Sequence, residues 1–191
     1  MNAALILLLK YLWGIFGIYW IGVARGGKVS QTGESRISRP LRWGILAITF
    51  TLLFSPWTGV WVLGKAIFPP ISIVADAGFV LTLAGLALAV WARVRLGRFW
   101  SDKVVLKVDH QLIREGPYAF VRHPIYSGVL LAVAGTALVV NQWRAAIAFF
   151  VLCTTYLIKA KKEERLLANK FGEQFRDHQR HTGFLIPRLR N

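Results

Sequence analysis

Five runs of apolar residues, separated by charged or turn-forming segments, restrict what this chain can fold into more than any other feature. Trp43–Gly64 runs 22 residues without a charge and Ile125–Trp143 runs 19. Ala3–Ala24 is interrupted only by Lys10, Ala77–Ala92 is uncharged and extends back toward Ile71, and Ala145–Ile158 adds 14 residues. A helix rises about 1.5 Å per residue, so 22 residues reach about 33 Å, enough for a hydrocarbon core of about 30 Å. Apolar content gathered into long runs, not spread as amphipathic patches, is the membrane signature. The expected fold is therefore all-α: one polytopic membrane domain over residues 1–191, with about five transmembrane helices plus a cytoplasmic C-terminal helix from Lys161 to about His181. Residues 1–92 hold three N-terminal spans, and 93–191 hold a long polar segment, a helical hairpin turning at Asn141–Arg144, and the charged tail.

Several finer expectations follow from residue type. No basic residue precedes the first run, which reads as a retained span and not as a signal peptide. Gly14, Gly17 and Gly22 are placed to let another helix approach closely. Ser55-Pro56 is expected to kink the second span and Asp76 to cap the third. The eight tryptophans mostly fall near span ends, as interfacial anchors do. The single cysteine, Cys153, excludes an internal disulfide and suits a packing role. His110, His123, His178 and His181 show no metal-ligand spacing.

The net charge of +15 lies in the connections. Segments 25–42, 93–122 and 159–190 carry 5, 7 and 9 Lys/Arg, whereas the intervening loops carry only Lys65 and Arg144. Nucleic-acid binding is one option for so basic a chain. Topology and attraction to anionic headgroups account for this distribution better. The bias predicts an N-terminus outside and a C-terminus in the cytoplasm, with segment 93–122 and Glu163-Glu164 on the same cytoplasmic side.

The stretch Gly116-Pro117-Tyr118-Ala119-Phe120-Val121-Arg122-His123-Pro124-Ile125-Tyr126-Ser127-Gly128 stands where a basic segment meets the fourth run. Each proline fixes φ, removes a donor and drives its predecessor out of the helical region, so the stretch reads as a rigid corner. Pro124 suits the first position of a helix, and His123 is then held at an N-terminus that favours an anion. An aromatic, basic membrane anchor is the plainer reading of the same residues.

Gly116-Pro117-Tyr118 and Arg122-His123-Pro124-x-Tyr126-x-Gly128, followed by Glu163-Glu164 and Phe171-Gly172, resemble the integral-membrane methyltransferases typified by isoprenylcysteine carboxyl methyltransferase. Phospholipid N-methyltransferases share part of the pattern. The resemblance spans about Leu96 to Pro187 and implies S-adenosyl-L-methionine as cofactor and a lipid-like or prenylated acceptor, with an isoprenylcysteine-type carboxylate as the leading substrate. It implies cofactor contacts from His110, Gln111, Leu112 and Ile113, from Tyr118, from His123, Pro124, Ile125 and Tyr126, and from Glu163. Where the family has an arginine that handles substrate, four residues before that glutamate, this chain has Lys159. Arg122 and Lys159 are accordingly the candidate catalytic residues, facing the acceptor's polar head.

The residues themselves suit such a cofactor. A methionine zwitterion wants a carboxylate for its ammonium and a cation or helix N-terminus for its carboxylate. Glu163 or Glu164 can meet the first need and His123 the second. Glu163 and Glu164 can equally pair with lysines along their own helix. Three other functions stay open: phospholipid N-methylation, a nicotinamide-dependent sterol-type reductase with a similar Arg-His-Pro pattern, and a small transporter or scaffold. Oligomeric state is not legible.

Overall fold

The computed structural model describes residues 3–24, 38–97 and 112–188. Among them the chain is all-helical, with isolated bridges but no strands. The helices are α1 (Ala3–Ala24), α2 (Ser38–Phe54), α3 (Ser72–Leu96), α4 (Pro124–Val140), α5 (Trp143–Phe171) and α6 (Glu173–His181), with 3-10 turns at Pro56–Thr58, Trp61–Gly64 and Gly116–Ala119. Three of them, α1, α3 and α5, are long and apolar enough to cross a membrane. The Trp43–Phe54 part of α2 and the whole of α4 are shorter apolar helices.

Three boundaries differ from the sequence reading. The second run is not one kinked helix: α2 stops at Phe54, because Ser55 before the proline is extended (φ −81°, ψ 126°) and the chain continues through the two 3-10 turns. Asp76 does not cap α3. Ile71 holds the cap position without a side-chain bond, and Asp76 is exposed one turn inside the helix. The charged tail is not a separate helix from Lys161. Instead α5 runs unbroken for 29 residues, about 43 Å, through the apolar run and into the charged one. It ends only at Gly172, whose positive φ (50°) turns the chain into α6.

Hydrogen bonds show which helix ends lie together. Arg144, buried at the start of α5, donates from Nη1 to Leu52 O and Ser55 O, each at 2.8 Å, and from Nε to Gln142 Oε1 at 2.5 Å. It thereby satisfies carbonyls that the end of α2 leaves open. Asn141, in the left-handed region at the end of α4, donates to Phe68 O at 2.7 Å and accepts from Phe68 N–H at 3.3 Å. The end of α2, the loop before α3 and the α4–α5 turn thus meet at one end of the molecule. At the other end, buried Arg93 near the C-terminus of α3 donates to Gly97 O at 2.9 Å and to Val23 O of α1 at 3.1 Å.

The closest packing joins α3 to α4. Gly78 and Gly85 on α3, and Gly128 and Gly135 on α4, repeat at seven residues and so share a face. A Cβ at Gly85 would lie 2.4 Å from Ala132 N, and one at Gly128 would lie 2.6 Å from Ala89 N. The two backbones are in contact, which only glycine permits. Thr82 Oγ1 bonds Gly78 O at 2.9 Å and lies 3.3 Å from Thr136 Oγ1, which accepts from Trp13 Nε1 at 3.0 Å. One polar pin thereby joins α3, α4 and α1, and Trp13 is a core residue, not a belt anchor. Trp57 and Trp61, 87% and 92% exposed at the far end, keep the anchor geometry. Trp100 lies outside the described residues. Cys153 packs against the core, as expected. Gly14, Gly17 and Gly22 do not carry the helix contact expected of them: a Cβ at any of the three would meet nothing within 4 Å.

Beyond Gly172, α6 buries Phe175 and His178. Burial holds the His178 imidazole down to about 4, with the Arg114 and Arg122 charges adding to the effect. It is therefore neutral in the folded protein at pH values where the unfolded chain is already protonated.

Two outcomes are expected. Gly85→Ala should cost about 1–3 kcal/mol by forcing α3 from α4, whereas Gly17→Ala should leave the melting temperature in detergent unchanged. Stability should also fall as pH drops from about 6.5 toward 4, because the unfolded state gains a proton that the folded state refuses. For His178 the ceiling is on the order of 3 kcal/mol, and His178→Gln should flatten that part of the pH–stability curve relative to wild type.

Candidate active site

Gly116, with φ of 59°, starts the 3-10 turn that buries Pro117 and Tyr118. Tyr118 packs with Ala92 and Ile125, and with half-buried Ile113, Trp20, Leu96 and Tyr126. Burial, reinforced by the negative charge of Glu163, holds its hydroxyl well above the ordinary tyrosine range. Tyr118 therefore stays a neutral hydroxyl at any physiological pH.

Pro124 opens α4 and His123 stands at the cap position (φ −123°, ψ 57°) without a side-chain cap bond. The imidazole is buried. It stacks on Tyr126, with centroids 5.6 Å apart and planes at 8°, and meets the ring of Phe184 edge-on at 5.2 Å. Two carboxylates from the same face of α5 flank it: Glu163 Oε2 lies 3.6 Å from Nδ1 and Glu164 Oε1 lies 3.4 Å from Nε2. The second distance is in ion-pair range but lacks hydrogen-bond geometry, and Nε2 is a buried atom with no hydrogen-bond partner.

The two glutamates, which residue type alone left interchangeable and of which the resemblance singled out Glu163, are held differently. Glu164 accepts from Arg122 Nε at 2.5 Å and from Gln179 Nε2 at 3.1 Å. Its charge is compensated by a guanidinium. Glu163 accepts from the Tyr126 hydroxyl at 2.6 Å and has His123 beside it, but no Lys or Arg pairs with it among the described residues. Its side chain is 23% exposed. Lys159, one turn earlier on α5, holds its Nζ 5.4 Å from the centre of the Tyr126 ring. Tyr156 packs on that ring at 4.7 Å.

Of the residues singled out from sequence, the structure gathers Ile113, Tyr118, Arg122, His123, Ile125, Tyr126, Lys159 and Glu163 around the start of α4, with Pro124 buried in its first turn. Leu112 is half-buried at the edge of the described residues, and His110 and Gln111 lie outside them. The guanidinium of Arg122 is engaged within the protein, by Glu164 and by Thr182 O at 2.5 Å. Sequence reasoning missed Tyr156, Gln179, Thr182 and Phe184. The break at Phe171-Gly172, which sends the chain back toward the corner, was the only hint of the last three.

The chain has relatives in sequence and in fold. The model of the isoprenylcysteine carboxyl methyltransferase (ICMT) family matches residues 78–169. The protein-S-isoprenylcysteine O-methyltransferase B of Arabidopsis thaliana is 27% identical over 60% of this chain and 59% of its own length. The cobalt-zinc-cadmium resistance protein CzcN of Cupriavidus metallidurans is 29% identical over 77% of this chain and 62% of its own. The chain thus spans about 60% of the length of these curated relatives. Among solved structures, that of the eukaryotic intramembrane Ras methyltransferase ICMT shares the fold, with a TM-score of 0.57 at 22% identity over 82% of this chain and 54% of that one. The matched residues 78–169 carry most of α3, all of α4 and nearly all of α5, the helices that build the site, and in sequence and fold the chain is similar to the isoprenylcysteine carboxyl methyltransferase family.

Proposed function

We propose that this protein transfers a methyl group from S-adenosyl-L-methionine to a lipid-like acceptor reached from the bilayer, with an isoprenylcysteine-type carboxylate as the leading acceptor. The observation that carries this reading is Glu163: a half-buried carboxylate at the corner, oriented by the Tyr126 hydroxyl at 2.6 Å, 3.6 Å from His123 Nδ1 and without a Lys or Arg partner among the described residues. A carboxylate so placed favours a bound cation. The cofactor brings two, an ammonium and a sulfonium.

The remaining donor set fits the same group. The first turn of α4, with His123 at its cap position, supplies the positive end for the cofactor's carboxylate. The faces of Tyr118 and Tyr126 supply aromatic walls. When bound, the cofactor supplies an electrophilic methyl group. The protein's part is to hold and orient it, to align the acceptor and to exclude water. Tyr126 aims Glu163, and the packed ring set of Tyr118, Ile125 and Tyr156 keeps the interior apolar. Lys159 stands on the outer side of Tyr126, where an anionic headgroup emerging from the bilayer meets it. Lysine in place of arginine offers a point charge and not a planar fork, so it suits a carboxylate or a phosphate without enforcing bidentate recognition.

Five crossings complete the reading. Helix ends alternate between the two poles of the molecule, with Val23 and Gly97 at the site's end and Leu52, Phe68 and Asn141 at the other. Combined with the Lys/Arg bias, this supports an N-terminus outside and a cytoplasmic site.

Purified protein should bind S-adenosylhomocysteine in calorimetry and ignore NADPH; the opposite preference would remove the methyltransferase reading. Glu163→Gln should weaken that binding by about one to two powers of ten, the worth of a charge-assisted hydrogen bond. Lys159→Ala should leave affinity within a few fold, roughly 1 kcal/mol, while lowering turnover of the lipid acceptor. Reporters fused at Met1 and Asn191 should fall on opposite sides of the membrane, and both in the cytoplasm would mean an even number of crossings.

A further inference from the structure

The segment Thr182–Leu185 follows α6 and lies against the corner that carries His123. Gly183 N–H donates to Phe120 O at 3.0 Å, Arg122 N–H to Gly183 O at 2.9 Å, and His123 N–H to Phe184 O at 3.3 Å. Ser127 Oγ donates to Leu185 O at 2.6 Å. Gly183 has no room for a side chain, since a Cβ would lie 1.7 Å from Ile186 O. These bonds press the Phe184 ring edge-on against the imidazole. His123 is thus clasped between Tyr126 on one side and this strap on the other.

One side chain ties the strap to the rest of the site. The guanidinium of Arg122 spans from Glu164 on α5 to Thr182 O, bonding each at 2.5 Å, and covers the Phe184 ring at 5.7 Å. Gln179 on α6 occupies the other oxygen of Glu164. The Arg122 side chain is only 12% exposed. Its Nε and Nη1 are both engaged inside the protein, so a group that took this edge of the guanidinium would have to break two charge-assisted bonds.

We infer that Arg122, Glu164 and Gln179 are positioning residues that hold the Thr182–Leu185 strap as a wall of the cofactor site, and that Arg122 acts on the cofactor through this strap. The inference rests on the cofactor reading above and assigns to α6 and the strap a share in cofactor affinity. A lysine cannot substitute, because a single ammonium on a flexible stem does not span a carboxylate and a carbonyl at fixed separation.

Two readouts on the full chain in detergent test it: calorimetric affinity for S-adenosylhomocysteine, and hydrogen exchange at the amides of Arg122, His123 and Gly183. Arg122→Lys should raise exchange at all three and weaken binding by about ten- to a hundredfold. Gln179→Ala, which removes one bond and leaves the guanidinium in place, should shift both readouts the same way by less. Arg144→Lys, at the opposite pole, should lower thermal stability while leaving the affinity of the folded protein unchanged. Faster exchange with unchanged affinity in Arg122→Lys would show that the strap is no wall of the site. Weaker binding with unchanged exchange would show that Arg122 touches the ligand directly. Either result overturns the inference. Wild-type protein that fails to bind S-adenosylhomocysteine at all overturns the cofactor reading instead, and the exchange arm then tells whether the clamp exists without it.

Discussion

Backbone-to-backbone contact between α3 and α4 sets the position of everything around it. In a bilayer an apolar side chain gains little by leaving lipid for another apolar surface, so helices associate through close packing and polar contacts. Gly78 and Gly85 facing Gly128 and Gly135 bring the two helices near enough for Thr82 to reach across and for Trp13 of α1 to join the same hydroxyl pair. Gly128 directly follows Tyr126 and Ser127, in the same helix whose first residues form the site. The glycine contact therefore fixes the depth and rotation at which His123 and Tyr126 are presented. The Tyr118 turn is pressed against the same pair by Ala92 and Ile125.

The site built on that frame carries unequal charges. Two adjacent glutamates on one helix repel each other unless at least one is neutralised. Arg122 compensates the charge of Glu164 and Gln179 helps to orient it, while Glu163 is held by the Tyr126 hydroxyl and has no Lys or Arg partner among the described residues. The same division explains why His123 can be buried between them. It is held by ring contacts with Tyr126 and Phe184 and by backbone bonds to the strap, so its nitrogens need not be committed to structural hydrogen bonds. A histidine with an unbonded buried nitrogen costs stability. Such a cost is reasonable at a place where a ligand supplies the missing partner.

Helix existence was legible wherever a long uncharged run stood alone, as with α1. Endings were not, where distant residues decide them. Whether Ser55-Pro56 bends or terminates α2 depends on a partner for the freed carbonyls, and that partner is Arg144, far along the chain. Which glycines mediate packing was equally hidden. Gly14, Gly17 and Gly22 offer as good a local pattern as Gly78 and Gly85, but only the latter meet a helix bearing its own glycines in register. The corner at Gly116–Gly128 was readable because its prolines and glycines are local constraints on backbone geometry. The roles of Glu163 and Glu164 were not, since adjacent residues differ only in what the fold sets opposite each. Gln179, Thr182 and Phe184 enter the site because α6 folds back after Gly172, and a turn of that kind reads in sequence only as a break.

Tyr126 is where these elements are joined. Its ring stacks on His123 and packs against Tyr156, with the Lys159 ammonium 5.4 Å away, while its hydroxyl is bonded to Glu163. One side chain therefore touches both an acidic position, Glu163, through its hydroxyl and a basic one, Lys159, over its ring; the two lie one helical turn apart on α5. In the proposed reaction the two reactants carry opposite charge at the points that must approach: a sulfonium and an anionic acceptor. Around Tyr126 a carboxylate and an ammonium stand close together, so each reactant would find a charge of opposite sign there. The hydroxyl stabilises the carboxylate by a hydrogen bond and the ring face attracts the ammonium, so one neutral side chain serves both charges. That polarity follows from α5 alone, whose unbroken passage out of its apolar run brings Tyr156, Lys159, Glu163 and Glu164 past the start of α4 in successive turns.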